Sequence, residues 1–558
     1  MSKVADRLNT IDAMFTEAAR QGLLQLTAEN EILDGRIIHL EGRPLINFGV
    51  CSYLGLEMDP RLKQGAIDAI LRYGTQFSSS RVYLSAPCYR ELEDLLRCIA
   101  DAPVMVAPTT TLGHLAAIPT LIQDDDAVIL DQHVHHSVQM AVELVRTCVA
   151  HVEVVRHSDM QALDRRLADL TTRYHRIWYL ADGVYSIFGD LVPIEELKEL
   201  LRRYPTLHLY LYDAHGMSWS GLRGCGYVLS HLPERDRTVV ALSMSKGFSA
   251  GGAVLVFPDT ESLRRVRTGG GPMIFSGPLQ PPVLGAAIAS ARIHLSDELP
   301  AMQQNLLDRV RLCNRLMLDK GLPLISHALT PIRFVGVGRL RVVLNLMRRM
   351  MDEGFFPNIV GFPATPMNQT GLRITITLHQ TEGDIRSLVD ALAYHLPLAL
   401  EEEGSGPDEI AKFFRHSLAK QSIQERRGAM ATGAFVIVWG PTVRGRELKA
   451  LQVFNETIEH FFQLQQQGTI ESFEPVDLEP NGGDLGGFLL VRGDREKLNA
   501  LRASEEFLRL NIRASLVVDN LGVINAFIGE ELQRVFANLG TQASELSQAS
   551  GTLGTPAV

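Results

Sequence analysis

Short apolar runs alternate with segments of helix length between about residues 90 and 260. The runs lie at 104–107, 127–130, 152–155, 176–180, 207–212 and 253–257. Strands that are apolar along their whole length are typical of parallel sheets, which are buried on both faces. The pattern therefore predicts an α/β fold with a mainly parallel sheet between two layers of helices.

Other patterns flank this region. Residues 4–30 have apolar positions at helical spacing and predict an N-terminal arm, and residues 36–48 predict two short strands around a Glu41-Gly42 turn. A long helical stretch is predicted from about 279 to 320. Strands near 332–336 and 372–378, with a helix over 381–395, then predict a smaller α+β lobe.

A separate unit is predicted to begin near residue 430, after a polar and charged connecting segment. Its predicted elements are a strand at 434–439, a helix at 446–466, strands at 470–476 and 487–492, a helix at 494–508, and strands at 513–518 and 523–528. This order predicts a ferredoxin-like α+β domain. We interpret it as an oligomerisation or regulatory module. The tail is rich in Ser, Thr, Gly and Ala and is predicted to be disordered.

Composition places the chain among globular proteins of several domains. It has 558 residues, 46% of them apolar and 21% charged. The net charge of −10 and the lack of a basic stripe argue against nucleic acid binding. The apolar runs are too short to cross a membrane, and the start lacks the apolar core of a secretory signal. The six cysteines have no C-x-x-C spacing, so we expect reduced thiols and a cytoplasmic protein.

Lys246 is the strongest candidate for chemistry. An apolar run at 239–242 leads through Ser243 to this lysine, and glycines follow it. An amine among apolar neighbours favours its neutral, nucleophilic form, which is the setting expected for a Schiff base. A lysine in a loop is more often a solvated charge, so the interpretation depends on other groups of the same site.

Several predicted strands end in such groups. Segments 131–137, 182–186 and 212–216 each follow a strand and supply imidazoles, carboxylates and hydroxyls. Segment 108–114 precedes a helix, whose free N–H groups suit a phosphate. Ligands of parallel sheets collect beyond the carboxyl ends of the strands. Together these groups suit pyridoxal 5′-phosphate, with Lys246 linked to its aldehyde and Ser243 bonded to its phosphate.

At this point the residues resemble a known family, the α-oxoamine synthases of the fold type I pyridoxal-phosphate-dependent transferases. The resemblance covers roughly residues 36–400. It rests on SYLGL at 52–56, SR at 80–81, HHS at 135–137, DGVYSIFG at 182–189, DAHG at 213–216, SMSK at 243–246 and GLRIT at 371–375. The division that we predict is an arm and hairpin (1–45), a cofactor-binding large domain (46–295), a small lobe (296–400), a linker (401–429), a ferredoxin-like domain (430–535) and a disordered tail (536–558).

The resemblance implies a role for each matching residue. Lys246 would carry the cofactor and move a proton, His135 would stack on the cofactor ring, and His215 would bond its phenolic oxygen. Ser186 would lie near that oxygen, and Ser243, Thr110 and Thr111 would contact the phosphate. Ser276 would contact the phosphate bound by a second subunit. Arg373 and Arg81 would contact the substrate. Arg373 would hold the substrate carboxylate, a pairing that suits a bidentate guanidinium. For Ser80 and Arg81, bracing a loop remains an equal alternative.

The chain departs from the family pattern at several positions. An aspartate three residues before the histidine usually bonds the ring nitrogen, but Tyr212 stands there and Asp213 comes one place later. Successive residues of a strand face opposite sides. Either the strand end twists to bring Asp213 into the site, which we favour, or the ring nitrogen lacks its carboxylate. Further departures surround the expected substrate channel, at 51–52, 79, 89 and 109–111.

The resemblance implies a homodimer with shared active sites that joins an amino acid to an acyl thioester with loss of carbon dioxide. The thioester could be on coenzyme A or on an acyl carrier protein, and a higher oligomer could form through the C-terminal domain. An aminotransferase or carbon–carbon lyase is the first alternative, and a scaffold without activity is the second. A metal site at Asp131, His133, His135 and His136 is a weaker alternative, because only alternate strand residues share a face.

Overall fold

The computed structural model describes residues 3–77, 80–149, 151–232, 235–415, 433–466, 469–470, 472–478 and 484–527. The chain divides into two compact units, Met1–Leu418 and Ala419–Val558. Over the described ranges, no helix is both long and apolar enough to cross a membrane. The finer domain boundaries within each unit stay predictions.

The first unit begins with helix α1 (Lys3–Arg20) and a hairpin of strands β1 (Ile37–Leu40) and β2 (Arg43–Asn47). The predicted hairpin is confirmed, and Glu41 and Gly42 both have positive φ, as a tight two-residue turn requires. The arm helix is shorter than its apolar spacing suggests. Gly22 adopts φ +67°, and the amides of Gly22 and Leu23 bond back to the carbonyls of Ala19 and Ala18, which ends the helix.

A seven-stranded sheet forms the large lobe and confirms the predicted α/β fold. Its strands are β3 (Val104–Ala107), β4 (Ala127–Asp131), β5 (His151–Val155), β6 (Ile177–Asp182), β7 (Leu207–Tyr212), β8 (Thr238–Ser243) and β9 (Ala253–Val256). They lie in the order β3-β9-β8-β7-β6-β4-β5. All pairs are parallel except the two that β9 makes, which are antiparallel.

Helices cover both faces of this sheet. They are α2 (Pro60–Tyr73), α3 (Pro87–Ala100), α4 (Thr110–Leu121), α5 (His136–Val145), α6 (Met160–Leu170), α7 (Ile194–Arg203), α8 (Tyr227–His231), α9 (Thr260–Gly269), α10 (Gly271–Phe275) and α11 (Pro281–His294). One buried cluster includes Leu92, Leu163 and Leu197, and a second includes Ala117 and Val138. The site described below lies on the side of the second cluster.

The small lobe follows α11. Its elements are α12 (Leu299–Asp319), β10 (Ile332–Gly338), α13 (Leu340–Asp352), β11 (Phe355–Phe356), β12 (Asn358–Val360), β13 (Thr370–Thr375), α14 (Glu382–Glu402) and α15 (Pro407–Phe413). Two three-stranded sheets form, β1-β2-β11 and β10-β13-β12. The helical stretch predicted from about 279 to 320 consists of two helices, because the chain turns at 295–298 and Pro300 lies in the first turn of α12.

The predicted linker begins with residues that belong to the first unit. Helix α14 runs to Glu402, and α15 follows it, with Ile410 and Phe414 buried. The Phe414 ring contacts those of Phe188 and Phe334, with centroids 6.4 and 6.1 Å apart. These aromatic contacts anchor a segment whose composition suggests exposure. The rest of the predicted linker, from residue 416, lies outside the described residues.

The second unit alternates strands and helices in the order βαββαβ, with two consecutive helices in the second helical position. Its elements are β14 (Gly433–Trp439), α16 (Glu447–Gln466), β15 (Ser472–Asp477), β16 (Gly487–Gly493), α17 (Arg495–Ala503), α18 (Glu505–Ser515) and β17 (Gly522–Ala526). The sheet order is β15-β16-β14-β17, with all pairs antiparallel.

One predicted strand of this unit, at 513–518, is wrong. Ser504 caps a second helix by accepting the amide of Phe507, and that helix continues to Ser515. Val518 makes only an isolated bridge with Thr442, so the closing strand is β17. The chain needs a helix of this length to return along the sheet before β17. This requirement outweighs the short alternation of apolar residues at 513–518. The predicted tail at 536–558 lies outside the described residues.

Candidate active site

The carboxyl ends of four parallel strands and one strand of the small lobe supply the candidate residues. His135 follows β4, Asp182 and Tyr212 end β6 and β7, and Lys246 follows β8. Arg373 lies on β13. All of them belong to the first unit, and the sheet edge is where ligands of parallel sheets bind.

The amine of Lys246 is bonded to an imidazole. Its Nζ lies 2.8 Å from Nε2 of His215 and 5.6 Å from the centre of the Tyr212 ring. Burial lowers the pKa of Lys246 from its usual value to about 8. The neutral, nucleophilic form of this amine is therefore far more populated near physiological pH than in a lysine of ordinary pKa.

Tyr53 completes a chain of hydrogen bonds behind Lys246. Its hydroxyl lies 2.5 Å from Nδ1 of His215, and both side chains are buried. Burial lowers the pKa of His215 well below its usual value, so the imidazole is neutral. A protonated Lys246 donates to Nε2, which places the imidazole hydrogen on Nδ1 and makes Tyr53 its acceptor. Tyr53 has a φ of +23°, an unfavourable conformation of the kind found at functional sites.

His135 is fixed by its neighbours. Its Nδ1 lies 2.7 Å from the Ser137 hydroxyl, and its backbone N–H donates to Oδ1 of Asp182 at 3.0 Å. The ring meets Tyr212 at an angle of 63°, with centroids 5.2 Å apart. Burial, and then the charge of Lys246, lower the pKa of His135 to about 4. A neutral imidazole on the site side of the sheet agrees with the stacking role that the sequence predicts.

The start of α4 lies in the first unit and supplies the segment predicted to hold a phosphate. The Thr109 hydroxyl accepts the amide of Leu112 at 3.1 Å, which leaves the first-turn amides of Thr110 and Thr111 without partners inside the helix. The Thr110 hydroxyl lies 3.1 Å from that of Tyr212. Ser243, the last residue of β8, is buried, and its hydroxyl accepts the amide of Ser245.

Asp213 does not take the position that we favoured for it. Its neighbours Tyr212 and Ala214 face the cluster next to His135, whereas Asp213 faces the opposite side and accepts the amide of Val228 at 2.8 Å. The expected twist of the strand end does not occur, because Tyr212 keeps its register with β6 and β8 to the last residue. Burial raises the pKa of Asp213 to about 7.

Glycines enclose the Asp213 carboxylate. A Cβ added at Gly183 or Gly216 would lie 2.6 or 2.2 Å from Oδ1, and one at Gly226 would lie 2.7 Å from Oδ2. Backbone therefore approaches both oxygens closely. The carboxylate is therefore enclosed on the face of the sheet opposite that of Tyr212.

Arg373 and Ser186 come together as predicted. Arg373 is buried, and its Nε donates to the carbonyl of Ser186 at 2.6 Å, while Nη2 lies 3.4 Å from Sγ of Cys51. Burial opposes ionisation of the Cys51 thiol, but the charges of Arg373 and Lys246 outweigh it and lower the Cys51 pKa. A guanidinium fixed by a backbone carbonyl is preorganised for a carboxylate.

The two remaining predicted residues make other contacts. Arg81 donates to the carbonyl of Val106 at 2.9 Å, pairs with Glu93 at 3.0 Å and stacks on Tyr89 at 3.8 Å. These contacts favour the alternative that Arg81 braces a loop. The Ser276 hydroxyl donates to the carbonyl of Pro272 in its own chain, and its role toward a second subunit stays a prediction.

The histidines considered for a metal have other partners. His133 stacks on His157 with ring centres 4.1 Å apart, and His157 bridges Asp131 and Asp190 at 2.9 and 2.7 Å. Within the described part of the chain, no three potential ligands are grouped to hold a metal ion. His135 lies apart from this stack, bonded to Ser137.

The groups of the site fit pyridoxal phosphate. The aldehyde requires an amine of lowered pKa, the phosphate requires free amides and hydroxyls, and the ring requires an aromatic face and a carboxylate. The structure offers Lys246, the start of α4, His135 and a buried carboxylate at Asp182. The Nε2 of His114, beside Tyr212, is buried and has no hydrogen-bond partner among the described residues. This nitrogen is therefore available to form a hydrogen bond with a bound group.

Comparisons with known proteins find similar sequences and similar folds. No protein-family model matches the chain. An 8-amino-7-oxononanoate synthase of Dechloromonas aromatica is 29% identical over 395 residues, which are 70% of this chain and 99% of that protein. The same enzyme of Thermoanaerobacter pseudethanolicus is 26% identical over 394 residues, with 70% and 97% covered.

Solved structures show the same fold. A serine palmitoyltransferase of S. paucimobilis, 21% identical, superposes with a TM-score of 0.66 over 71% of this chain and 99% of its own. An 8-amino-7-oxononanoate synthase of Francisella tularensis gives a TM-score of 0.53 at 19% identity, with 63% and 98% covered. The chain therefore has the fold of the fold type I pyridoxal-phosphate-dependent enzymes, and its sequence is similar to those of 8-amino-7-oxononanoate synthases.

Proposed function

We propose that the chain condenses an amino acid with an acyl thioester, releasing carbon dioxide and a free thiol and giving an α-aminoketone. The observation that carries this proposal is the Lys246–His215–Tyr53 chain beside a buried Arg373 in one site. The names of the similar proteins agree, since one is a synthase of an amino-oxo acid and the other an acyltransferase that uses serine.

The residues that would hold the cofactor lie around Lys246. Lys246 would hold its aldehyde, the amides of Thr110 and Thr111 with the Ser243 hydroxyl would hold its phosphate, and His135 would lie against its ring. When bound, pyridoxal phosphate supplies the electron sink for a carbanion at the α-carbon of the amino acid.

Arg373 and Lys246 divide the work on the amino acid. Arg373 keeps its charge, since its pKa is raised despite burial, and Ser186 fixes the direction of its guanidinium. It would bind the substrate carboxylate and set the orientation of the α-carbon bonds. Lys246, with a pKa of about 8, can accept and return a proton at that carbon near neutral pH, and His215 accepts a hydrogen bond from its charged form.

Thiol release tests this function. Purified protein loaded with pyridoxal phosphate would be mixed with each common amino acid and with acyl donors on coenzyme A or on acyl carrier protein. We expect free thiol and labelled carbon dioxide to appear in equal amounts, and neither to appear with Lys246→Ala. Transfer of the amine to a keto acid without thiol release would refute the proposal in favour of an aminotransferase.

We further propose a cytoplasmic homodimer with shared sites, in which Ser276 reaches the phosphate of the partner. Mixing two inactive variants, Lys246→Ala and Ser276→Trp, would then restore part of the activity, because one mixed site carries neither change. No recovery in a mixture shown to exchange subunits would contradict this. For the second unit we propose a ferredoxin-like fold, which its βαββαβ order and antiparallel sheet support, and a role in oligomerisation or regulation.

A further inference from the structure

The cofactor of this site works as an electron sink when its ring nitrogen has a suitable partner, commonly a carboxylate. Tyr212 occupies the end of β7 on the site side, and Asp213 faces away from it. A second buried aspartate, Asp182, ends the neighbouring strand β6. The two aspartates can therefore be compared as partners for the ring.

Strand register places Asp182 on the site side of the sheet. Asp182 lies opposite Tyr212 in the parallel pair β6 and β7, and side chains of registered neighbours project from the same face of a sheet. Tyr212 faces His135 and lies 5.6 Å from the Lys246 amine. Asp182 therefore shares a face with the lysine and the imidazole that would contact the cofactor.

A direct contact supports this placement. Oδ1 of Asp182 accepts the backbone N–H of His135 at 3.0 Å, so the carboxylate lies beside the residue predicted to stack on the ring. In the described ranges, Oδ2 of Asp182 makes no hydrogen bond. Burial raises the Asp182 pKa well above its usual value, whereas the charge of Lys246 acts to lower it. A buried carboxylate with one free oxygen has capacity for a cationic partner.

Asp213 also has one oxygen, Oδ1, without a hydrogen-bond partner among the described residues, but that oxygen is enclosed. Its Oδ2 is bonded to the Val228 amide, and Gly183 and Gly216 crowd its Oδ1. A ring nitrogen that approached Oδ1 from the side of Gly183 or Gly216 would meet that backbone. The two carboxylates thus differ in the face that they occupy and in the space around them.

We propose that Asp182, rather than Asp213, is the carboxylate that pairs with the ring nitrogen of pyridoxal phosphate in this chain. The proposal deepens the proposed function and rests on Lys246 holding that cofactor. It does not depend on which substrates react. The carboxylate is thus supplied by β6, one strand away from Tyr212.

Binding of two cofactor analogues tests the proposal. Pyridoxal phosphate and 1-deazapyridoxal phosphate differ only in the ring nitrogen, and their dissociation constants would be measured for the wild type, Asp182→Asn and Asp213→Asn. A charged hydrogen bond makes the wild type prefer pyridoxal phosphate by roughly ten- to hundredfold. We expect Asp182→Asn to lose this preference and Asp213→Asn to retain it. The side-chain carbonyl that Asp182→Asn introduces can still accept the His135 amide, so the loop keeps its contact.

A spectroscopic measurement separates pairing from a structural role. With 15N-labelled pyridoxal phosphate, the ring nitrogen shift should be that of a protonated pyridine in the wild type and in Asp213→Asn, and of a neutral pyridine in Asp182→Asn. Asp182→Asn binding both analogues more weakly by the same factor would overturn the proposal, as would no preference in the wild type.

Loss of the preference in Asp213→Asn would also overturn the proposal, and this arm is decisive even if Asp182→Asn does not fold. A wild-type preference without thiol release would refute the reaction and leave Asp182 in its role. Thiol release by a wild type that does not prefer pyridoxal phosphate over 1-deazapyridoxal phosphate would support the reaction and refute the role of Asp182.

Discussion

The lowered pKa of Lys246 predicts how fast the protein takes up its cofactor at different pH. Only the neutral amine attacks an aldehyde, so the attachment rate follows the neutral fraction of Lys246. With a pKa of about 8, that fraction is about one eleventh at pH 7 and about ten elevenths at pH 9, a rise of about tenfold with a plateau above. A solvated lysine of ordinary pKa would show a rise of about a hundredfold over the same range, with no plateau.

The assay mixes cofactor-free protein with excess pyridoxal phosphate and follows the visible absorbance of covalent attachment from pH 6 to pH 10. Borohydride trapping and peptide mapping then show the fraction at Lys246. Lys246→Ala is the control and should trap none at this position. Because His215 accepts a hydrogen bond from the charged amine, His215→Ala should lower the apparent pKa and speed attachment at pH 7.

Two results would refute this reasoning. A rise near a hundredfold without a plateau would mean that Lys246 is solvated and that the apolar surroundings have no effect on its charge. A rate that does not change between pH 7 and pH 9 would mean that the amine is neutral throughout. The first result would remove the chemical basis for the site, and the second would contradict the pKa of about 8.

Three further predictions follow from single side chains. Burial raises the pKa of Asp213 to about 7, so the folded state binds this proton more tightly than the unfolded state. Stability should fall by about 4 kcal/mol in total as pH rises from about 4 to about 7, and urea unfolding should show that Asp213→Asn removes this difference. Arg373→Lys cannot keep both guanidinium contacts, so KM for the amino acid should rise at least about tenfold in the thiol assay while cofactor affinity is unchanged. Gly183→Ala would place a methyl group 2.6 Å from Oδ1 of Asp213 and should lower the free energy of thermal unfolding by about 1–3 kcal/mol, whereas Gly277→Ala, with no atom within 4 Å of its Cβ, should not.

The sequence predicts the large sheet well because its strands are buried on both faces. Strands β3 and β7 coincide with the apolar runs, and β4 and β6 differ from theirs by one or two residues. Burial on both faces requires apolar side chains at every position, so little else in the chain has this pattern. Helix ends are predicted less well. Gly22 ends α1 through backbone bonds that apolar spacing does not record.

The sequence likewise predicts some residues of the site well and others poorly. Lys246, His135 and His215 follow strand ends, and a parallel sheet brings such ends together whatever the details of packing. Sequence patterns predict no role for Tyr53, since its contact with His215 joins residues 162 positions apart and depends on how the two segments pack. For Arg81 the resemblance implies a substrate contact that the structure does not favour. Its position depends on Glu93 and Tyr89, and neither of these residues follows a strand.

Asp213 shows why a shift of one residue matters so much in a strand. Side chains alternate between faces, so a carboxylate moved one place along β7 leaves the site completely rather than by a small distance. There it accepts the Val228 amide and stabilises the turn into α8, at the expense of burying a charge. A carboxylate moved from one strand to the paired position of the neighbouring strand stays on the same face of the sheet. Tyr212 and Asp182 are paired in this way. A carboxylate on a neighbouring strand can therefore take the place of one missing at Tyr212, whereas a carboxylate at the next position of the same strand cannot. This geometry makes Asp182 the candidate.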